Sequence, residues 1–387
     1  MTNSLPFDPR ARQRLVVLQH GGISGIYGKT GLSLLRYRGD EVVAVVDHET
    51  AGRSLRELTR LPLKHEIPIV ASIADALAFR PTAVAIGIAS PGGRIPEAWM
   101  SDLRGAVKAG VSIWNGLHTP LASDAEIAAA LKPGVYVWDM RREPPGVATG
   151  KGEARTLPCK RVLFVGTDMA IGKMTAALEL DRLARSRGLR SKFIGTGQAG
   201  VMIGGDGICL DAIRVDFASG AVEGEMMRNG HDNDVLWVEG QGSLLNPAST
   251  ATLPLLRGSQ PTHLVLVHKA GMRTLRAFPH IAIPPLEKVV AFYEQAAEAA
   301  GAFARAPVVG IALNTWALDE DSARREVDAV SKATGLPCTD AVRFGSEVLL
   351  DPIMSKETTG SRGHAREYAA SPAGGSGQPT VVAPSVN

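Results

Sequence analysis

The sequence predicts an α/β protein of two doubly wound domains, residues 1–150 and 151–357, followed by a tail at 358–387. Three observations carry this. In each half short apolar runs alternate with longer amphipathic stretches, the pattern of buried parallel strands joined by crossover helices. Residues 142–158 are rich in Pro, Gly and charge and lack apolar periodicity, so they read as the interdomain linker. The chain has 387 residues, 45% hydrophobic and 21% charged, enough for two cores at roughly 100–200 residues per domain.

In the first half the strand runs are 15–19, 42–47, 83–89, 111–114 and 135–139. Helical spacing covers 31–37, 72–79 and 96–109, with Gly110 placed where the last helix should stop. The second half opens with a strand at 161–166, a helix at 173–186 and a strand at 191–197. Further strands are expected at 235–239, 263–268 and 308–314, and helices at 285–300 and 319–334. From Thr358 onward Gly, Ser, Pro and Ala dominate, a composition that cannot offset ordering entropy, so a mobile tail is expected.

Charge and cysteine usage exclude several function classes. Lys and Arg number 42 against 39 Asp and Glu, a net +3, which lacks the basic excess of a nucleic-acid binder. Cys159, Cys209 and Cys338 are far apart without a CxxC, so neither a disulfide framework nor a structural metal is predicted. The N-terminus has no apolar signal core, and no stretch of ~18 apolar residues occurs. A cytoplasmic protein with small-molecule substrates, no membrane partner and a homodimeric state by base rate is the expectation.

The strongest local signal is Gly166-Thr167-Asp168-Met169-Ala170-Ile171-Gly172-Lys173-Met174-Thr175, between a predicted strand and a predicted helix. Amides at the helix start point at an anion, the glycines admit close approach, and Lys173 adds charge. Five residues rather than four separate Gly166 from Gly172, and Met174 stands where a magnesium-binding hydroxyl is usual, leaving Thr175 as substitute. The spacing is similar to that of dethiobiotin synthetase-like P-loop proteins. Glu239 ends an apolar strand beside this loop, where a carboxylate can orient substrate, hold a metal or take a proton.

Between the two lies a glycine-rich loop, 195–207, with Gly197 and Gln198 at its head. After the strand at 263–268, His268, Lys269, Arg273 and Arg276 form a basic cluster suited to carboxylate or phosphate. In the first half, His20 to Gly31 (HGGISGIYGKTG) follows a strand and opens a helix with spacing that echoes the second loop, a further anion site. Residues 90–94, SPGGR, offer either a second wall of that crevice or a plain tight turn. The GxGxxG dinucleotide fingerprint, GxSxG and HExxH are all absent.

Taken together, HGGISGIYGKTGLSLLRY, VVDHETAG, GIASPGGRIP and GLHTPL, with VGTDMAIGKMTAALEL, GTGQAGVMIGGDGI, DFASGAVEGE, WVEGQGSLLNPA and ALNT, resemble the D-glutamate N-acetyltransferase family over about residues 14–350. The resemblance implies a Rossmann-like N-terminal domain, a P-loop C-terminal domain and acetyl transfer from acetyl-CoA to the amine of D-glutamate in D-amino-acid catabolism. Fitted to that activity, Gly166, Thr167, Asp168, Ile171, Gly172, Lys173, Met174 and Thr175 hold the phosphates of acetyl-CoA. Glu239 and His268, with Asp168 behind them, are the candidate bases. Lys269, Arg273 and Arg276 meet the carboxylates, and the glycine-rich amides near Gly197 to Gly200 serve the oxyanion, with Gly197 and Gln198 as substrate-binding residues. The alternatives are an ATP-dependent ligase or kinase holding Mg-ATP and a non-catalytic nucleotide sensor.

Overall fold

Runs of buried, largely β-branched residues become the strands. The computed structural model describes residues 11–355 apart from Ser24, Ile26 and Ser90, together with Asp8. The tail expected from Thr358 lies outside the described residues. The first half forms β1 (Leu15–Leu18), β2 (Val42–Val46), β3 (Ile69–Val70), β4 (Ala83–Ile86), β5 (Ser112–Asn115) and β6 (Val137–Asp139). They lie in the order β3-β2-β1-β4-β5-β6, every pairing parallel. That is the doubly wound order of a Rossmann-like sheet, with a switch point between β1 and β4.

The second half forms β7 (Lys160–Gly166), β8 (Ser191–Ile194), β9 (Val235–Val238), β10 (His263–Lys269), β11 (Val308–Asn314) and β12 (Cys338–Thr339). Their order is β12-β11-β10-β7-β9-β8, again all parallel. β7 is buried along almost its whole length between β9 and β10, so the loop after Gly166 emerges at the centre of the sheet. No described helix is long and apolar enough to cross a membrane.

One expectation needs correction. Residues 195–207 are not an open loop, because Gln198–Gly204 is a helix. Its glycines serve close packing: a Cβ on Gly200 would sit 2.1 Å from Oε2 of Glu239. A helix built this way lets a strand-end carboxylate approach its backbone, which no larger residue would permit.

The same helix joins the two halves. Met202 and Val201 enter the apolar core of the first half beside Leu15, Val17 and Trp114. Arg38 Nη1 donates to the carbonyl of Met202 at 3.0 Å, and its guanidinium lies 4.9 Å from the centroid of the Trp114 ring. Arg141 Nη2 donates to Gln198 Oε1 at 2.9 Å. The 142–158 linker is also pinned, since the amides of Lys151, Glu153 and Ala154 donate to the Glu223 carboxylate. The halves therefore share a core. A Met202→Ala variant should lose about 2–5 kcal/mol of stability through the cavity it leaves, and should unfold in one transition in urea rather than releasing one domain.

Candidate active site

The loop after β7 is held from three sides. Tyr293 donates its hydroxyl hydrogen to the carbonyl of Gly166 at 2.7 Å, and Asn314 at the end of β11 donates to the carbonyl of Ile171 at 2.9 Å. Lys173 opens the Lys173–Ser186 helix and folds its Nζ back onto the carbonyl of Asp168 at 2.7 Å. The helix start thus leaves its first amides facing a cavity of about 300 Å³, lined by the loop from Met169 to Thr175, by Glu239 to Gly242, by Asn314 and by Lys29. Helix-start amides, the helix dipole and two lysines make this compartment a receptor for anionic oxygen.

Glu239 stands just beyond β9, and Gly240 is needed there, as a Cβ would lie 1.6 Å from the carbonyl of Phe164 on the neighbouring strand. The Glu239 carboxylate accepts from the amides of Thr196 and Gly197 at 2.8 and 3.2 Å and from Gln241 Nε2 at 3.2 Å. Burial pushes its pKa up to about 7, against the pull of those two amides and of Lys29 and Lys173. Burial, and then the charge of Lys29, bring Lys173 down to about 8. Both groups therefore titrate near neutrality, as catalytic and ligand-gripping groups often do.

The other proposed bases are placed differently. Asp168 is buried and fully engaged, accepting from the Met169 amide at 2.7 Å, Asn246 Nδ2 at 2.7 Å and the Arg276 amide at 2.9 Å. It clasps the loop to the segment after β10. His268 is paired with Thr167 Oγ1 at 2.8 Å, and burial drives its pKa down to about 4, so the ring is neutral at physiological pH. Neither lines the cavity of about 300 Å³ that holds Glu239.

The amide of Gly197 is committed to Glu239, so it does not stand ready as an oxyanion donor in this conformation, while Gln198 accepts from Arg141 through its Oε1. Lys269, Arg273 and Arg276 are exposed and line neither cavity. The Arg276 amide nevertheless ties their segment to the loop through Asp168.

Sequence reasoning missed two features. The first is Lys29, which opens the Lys29–Tyr37 helix and brings the first-half glycine motif to the second-half loop. The repeated GK spacing was its signal, read as a separate anion site. The second is a cavity of about 210 Å³ beside the loop, bounded by Val267, Ala312 and Leu313 at the ends of β10 and β11 and by Trp316 and the 340–343 segment. It shares Ile171, Gly172, Thr175 and Asn314 with the larger cavity. A slot that is apolar over much of its wall, with Arg36, Asp340 and Arg343 also lining it, thus adjoins the polar one across a common wall.

Comparison with known proteins fits this architecture. Residues 48–143 match the DUF1611 N-terminal pattern, described as a Rossmann-like domain, and residues 148–350 match the DUF1611 C-terminal pattern, a P-loop domain; both are described as domains of unknown function. A protein of Tritonibacter scottomollicae named D-glutamate N-acetyltransferase is 32% identical over 329 residues, covering 84% of this chain and 94% of the relative. A protein of the same name from a Pseudoalteromonas species is 32% identical over 281 residues, covering 72% and 83%. The crystal structure of a DUF1611 family protein from Anabaena variabilis is 55% identical, with a TM-score of 0.84 over 88% of this chain and 99% of that one. With two parallel six-stranded sheets and relatives aligned across most of the chain, the protein belongs to the D-glutamate N-acetyltransferase family and is an acyltransferase enzyme.

Proposed function

We propose that this enzyme moves the acetyl group of acetyl-CoA to the amine of D-glutamate, as a step of D-amino-acid catabolism. The relatives' names support the reaction. The observation that carries the donor is the pair of adjoining cavities, one basic and amide-lined, the other largely apolar. The adenosine end of CoA has this division, a flat base next to a pyrophosphate and a 3′-phosphate. The loop then grips phosphate without transferring it, which accommodates Met174 at the position of the usual magnesium-binding hydroxyl. No metal or nucleotide hydrolysis is needed.

In this reading Glu239 is the base. Its carboxylate takes a proton from the D-glutamate ammonium, the freed amine attacks the thioester carbonyl carbon, and the tetrahedral intermediate collapses. A C–N bond forms, the C–S bond breaks, and the second proton lost by the attacking nitrogen passes to the departing CoA thiolate. A carboxylate with a pKa near 7 is well matched to this task at neutral pH. Lys269, Arg273 and Arg276, exposed beside the loop, are the counter-charges for the two carboxylates of D-glutamate.

The deciding assay incubates the enzyme with acetyl-CoA and either D- or L-glutamate, follows thiol release and identifies the product by mass. Release confined to the D isomer supports the reading. Absence of release together with ATP hydrolysis would overturn it in favour of ATP-dependent chemistry. For the apolar slot, Trp316→Ala removes an exposed ring able to stack on adenine, a contact worth about 1–3 kcal/mol. Its KM for acetyl-CoA should rise roughly tenfold while kcat stays within threefold.

A further inference from the structure

The C-terminal ends of β1 and β2 hold a cluster that acetyl transfer does not use. The two strands pair in parallel up to Leu18 and Val46, and the amide of Gln19 still donates to the carbonyl of Val46 at 2.8 Å. The chain therefore leaves both strands side by side, which sets His20 against Asp47 and His48. The ligand atoms of these three residues all lie within 4.8 Å of one another. We propose that His20, Asp47 and His48 bind one divalent transition-metal cation of the zinc class, at a site distinct from the phosphate loop. None of the three lines either cavity there.

The imidazole nitrogens carry most of the argument. Nδ1 of His20 and Nδ1 of His48 lie 2.9 Å apart, at hydrogen-bond distance, and Nδ1 of His20 also accepts from the His48 amide at 3.3 Å, contacts that a bound ion would replace. Two imidazoles on a tetrahedral zinc ion place their nitrogens roughly 3.3 Å apart, so admitting an ion needs the two rings to open by only a few tenths of an ångström. Asp47 is the buried third ligand and already has the outer contacts that orient a ligating carboxylate. Its Oδ1 accepts from the amides of Gly21 and Glu49 at 3.0 and 3.2 Å, and its Oδ2 from Thr50 Oγ1 at 2.6 Å.

The His20 ring is braced by Trp99, with centroids 5.7 Å apart. Asp47, Asp102 and Glu49 place negative charge around the His20 ring, which favours a cation there. Two imidazoles with one carboxylate select zinc, cobalt or nickel over magnesium or calcium. His48 is exposed, so the fourth position opens to water. No motif announces this set, because its members are distant in sequence and meet only when β1 and β2 pair.

The test uses the full chain, stripped with chelator and titrated with Zn²⁺ and with Co²⁺, reading stoichiometry by elemental analysis and coordination by the visible Co²⁺ absorption. Wild type is expected to bind one more equivalent than His48→Ala, with tetrahedral cobalt bands that the variant lacks. Asp47→Asn should weaken the zinc Kd at least tenfold. Because His48 is exposed, its variant should fold as wild type, which circular dichroism and the thermal midpoint of the metal-free proteins will check. Equal stoichiometry with Kd values within threefold in wild type and His48→Ala, or no wild-type binding at micromolar zinc, would overturn the proposal. The result does not depend on which acyl donor or acceptor the enzyme uses.

Discussion

A Lys173→Met variant is expected to fold normally and to bind acetyl-CoA at least a hundredfold more weakly than the parent. Lys173 is 5% exposed, lines the larger cavity, and its ammonium donates to the backbone carbonyl of Asp168, with the Asp168 and Glu239 carboxylates too weak an influence to offset its burial. A charged hydrogen bond to phosphate in such a setting is worth about 1.5–3 kcal/mol, and the lost Coulomb attraction adds to it. Methionine keeps the volume and removes a buried charge, so stability should not fall. The pH dependence gives an independent check. With its pKa depressed to about 8 in the folded chain against 10.5 when unfolded, Lys173 binds fewer protons in the native state across that window. Wild type should therefore gain stability as pH rises from 8 to 10.5, and the variant should not. Calorimetric titration of acetyl-CoA and denaturant curves at pH 8 and 10 measure both, and an acetyl-CoA Kd within threefold of the parent would remove Lys173 from the site. Lys29→Ala, lacking an exposed charge at the rim, should cost nearer tenfold.

The framework was legible because parallel sheets write themselves as apolar runs. β1, β2, β4 and β5 coincide with runs that no helix of similar length would need to make wholly apolar. The short partners β3 and β12, two residues each, were not legible, since so brief a strand leaves no period to read. The Gln198–Gly204 helix was hidden by its own glycines. Propensity argues against a helix there, and the compensating gain, the approach of Glu239 at Gly200, exists only in three dimensions.

The site follows the same division. Gly166 to Thr175 and Glu239 were visible because phosphate binding and strand-end carboxylates impose local patterns. Lys29 belonged to a pattern that was seen, yet its destination depends on how the Lys29–Tyr37 helix packs against the Gln198–Gly204 helix, a long-range fact. Asp168 and His268 show the converse. Both occupy positions that suit a base, and only the hydrogen bonds to Asn246, Arg276 and Thr167 reveal that both Asp168 carboxylate oxygens and Nδ1 of His268 are already engaged.

Glu239→Gln should abolish most turnover, lowering kcat by about 10²–10⁴ while leaving the Kd for acetyl-CoA within threefold. The amide is nearly isosteric with the carboxyl group and keeps an oxygen for the Thr196 and Gly197 amides, so what is lost is chiefly the ability to take a proton. In the parent, kcat/KM should rise with pH through about 7 as the carboxylate forms. Lys29 and Lys173 both hold that pKa down, so Lys29→Ala should move the rise to higher pH, a displacement that a purely structural Glu239 would not produce. Stability runs the other way. A carboxyl group whose folded pKa is raised from 4.5 to about 7 binds more protons when native, so its favourable contribution is complete below pH 4.5 and is lost as pH climbs through 7. At 1.36 kcal/mol per pH unit the loss is about 3 kcal/mol, and the glutamine variant should escape it. A variant that is more stable than wild type at pH 8, binds acetyl-CoA and no longer turns over is the expected signature of a base held in a dry site. Wild-type turnover in the variant would instead assign proton removal to another group.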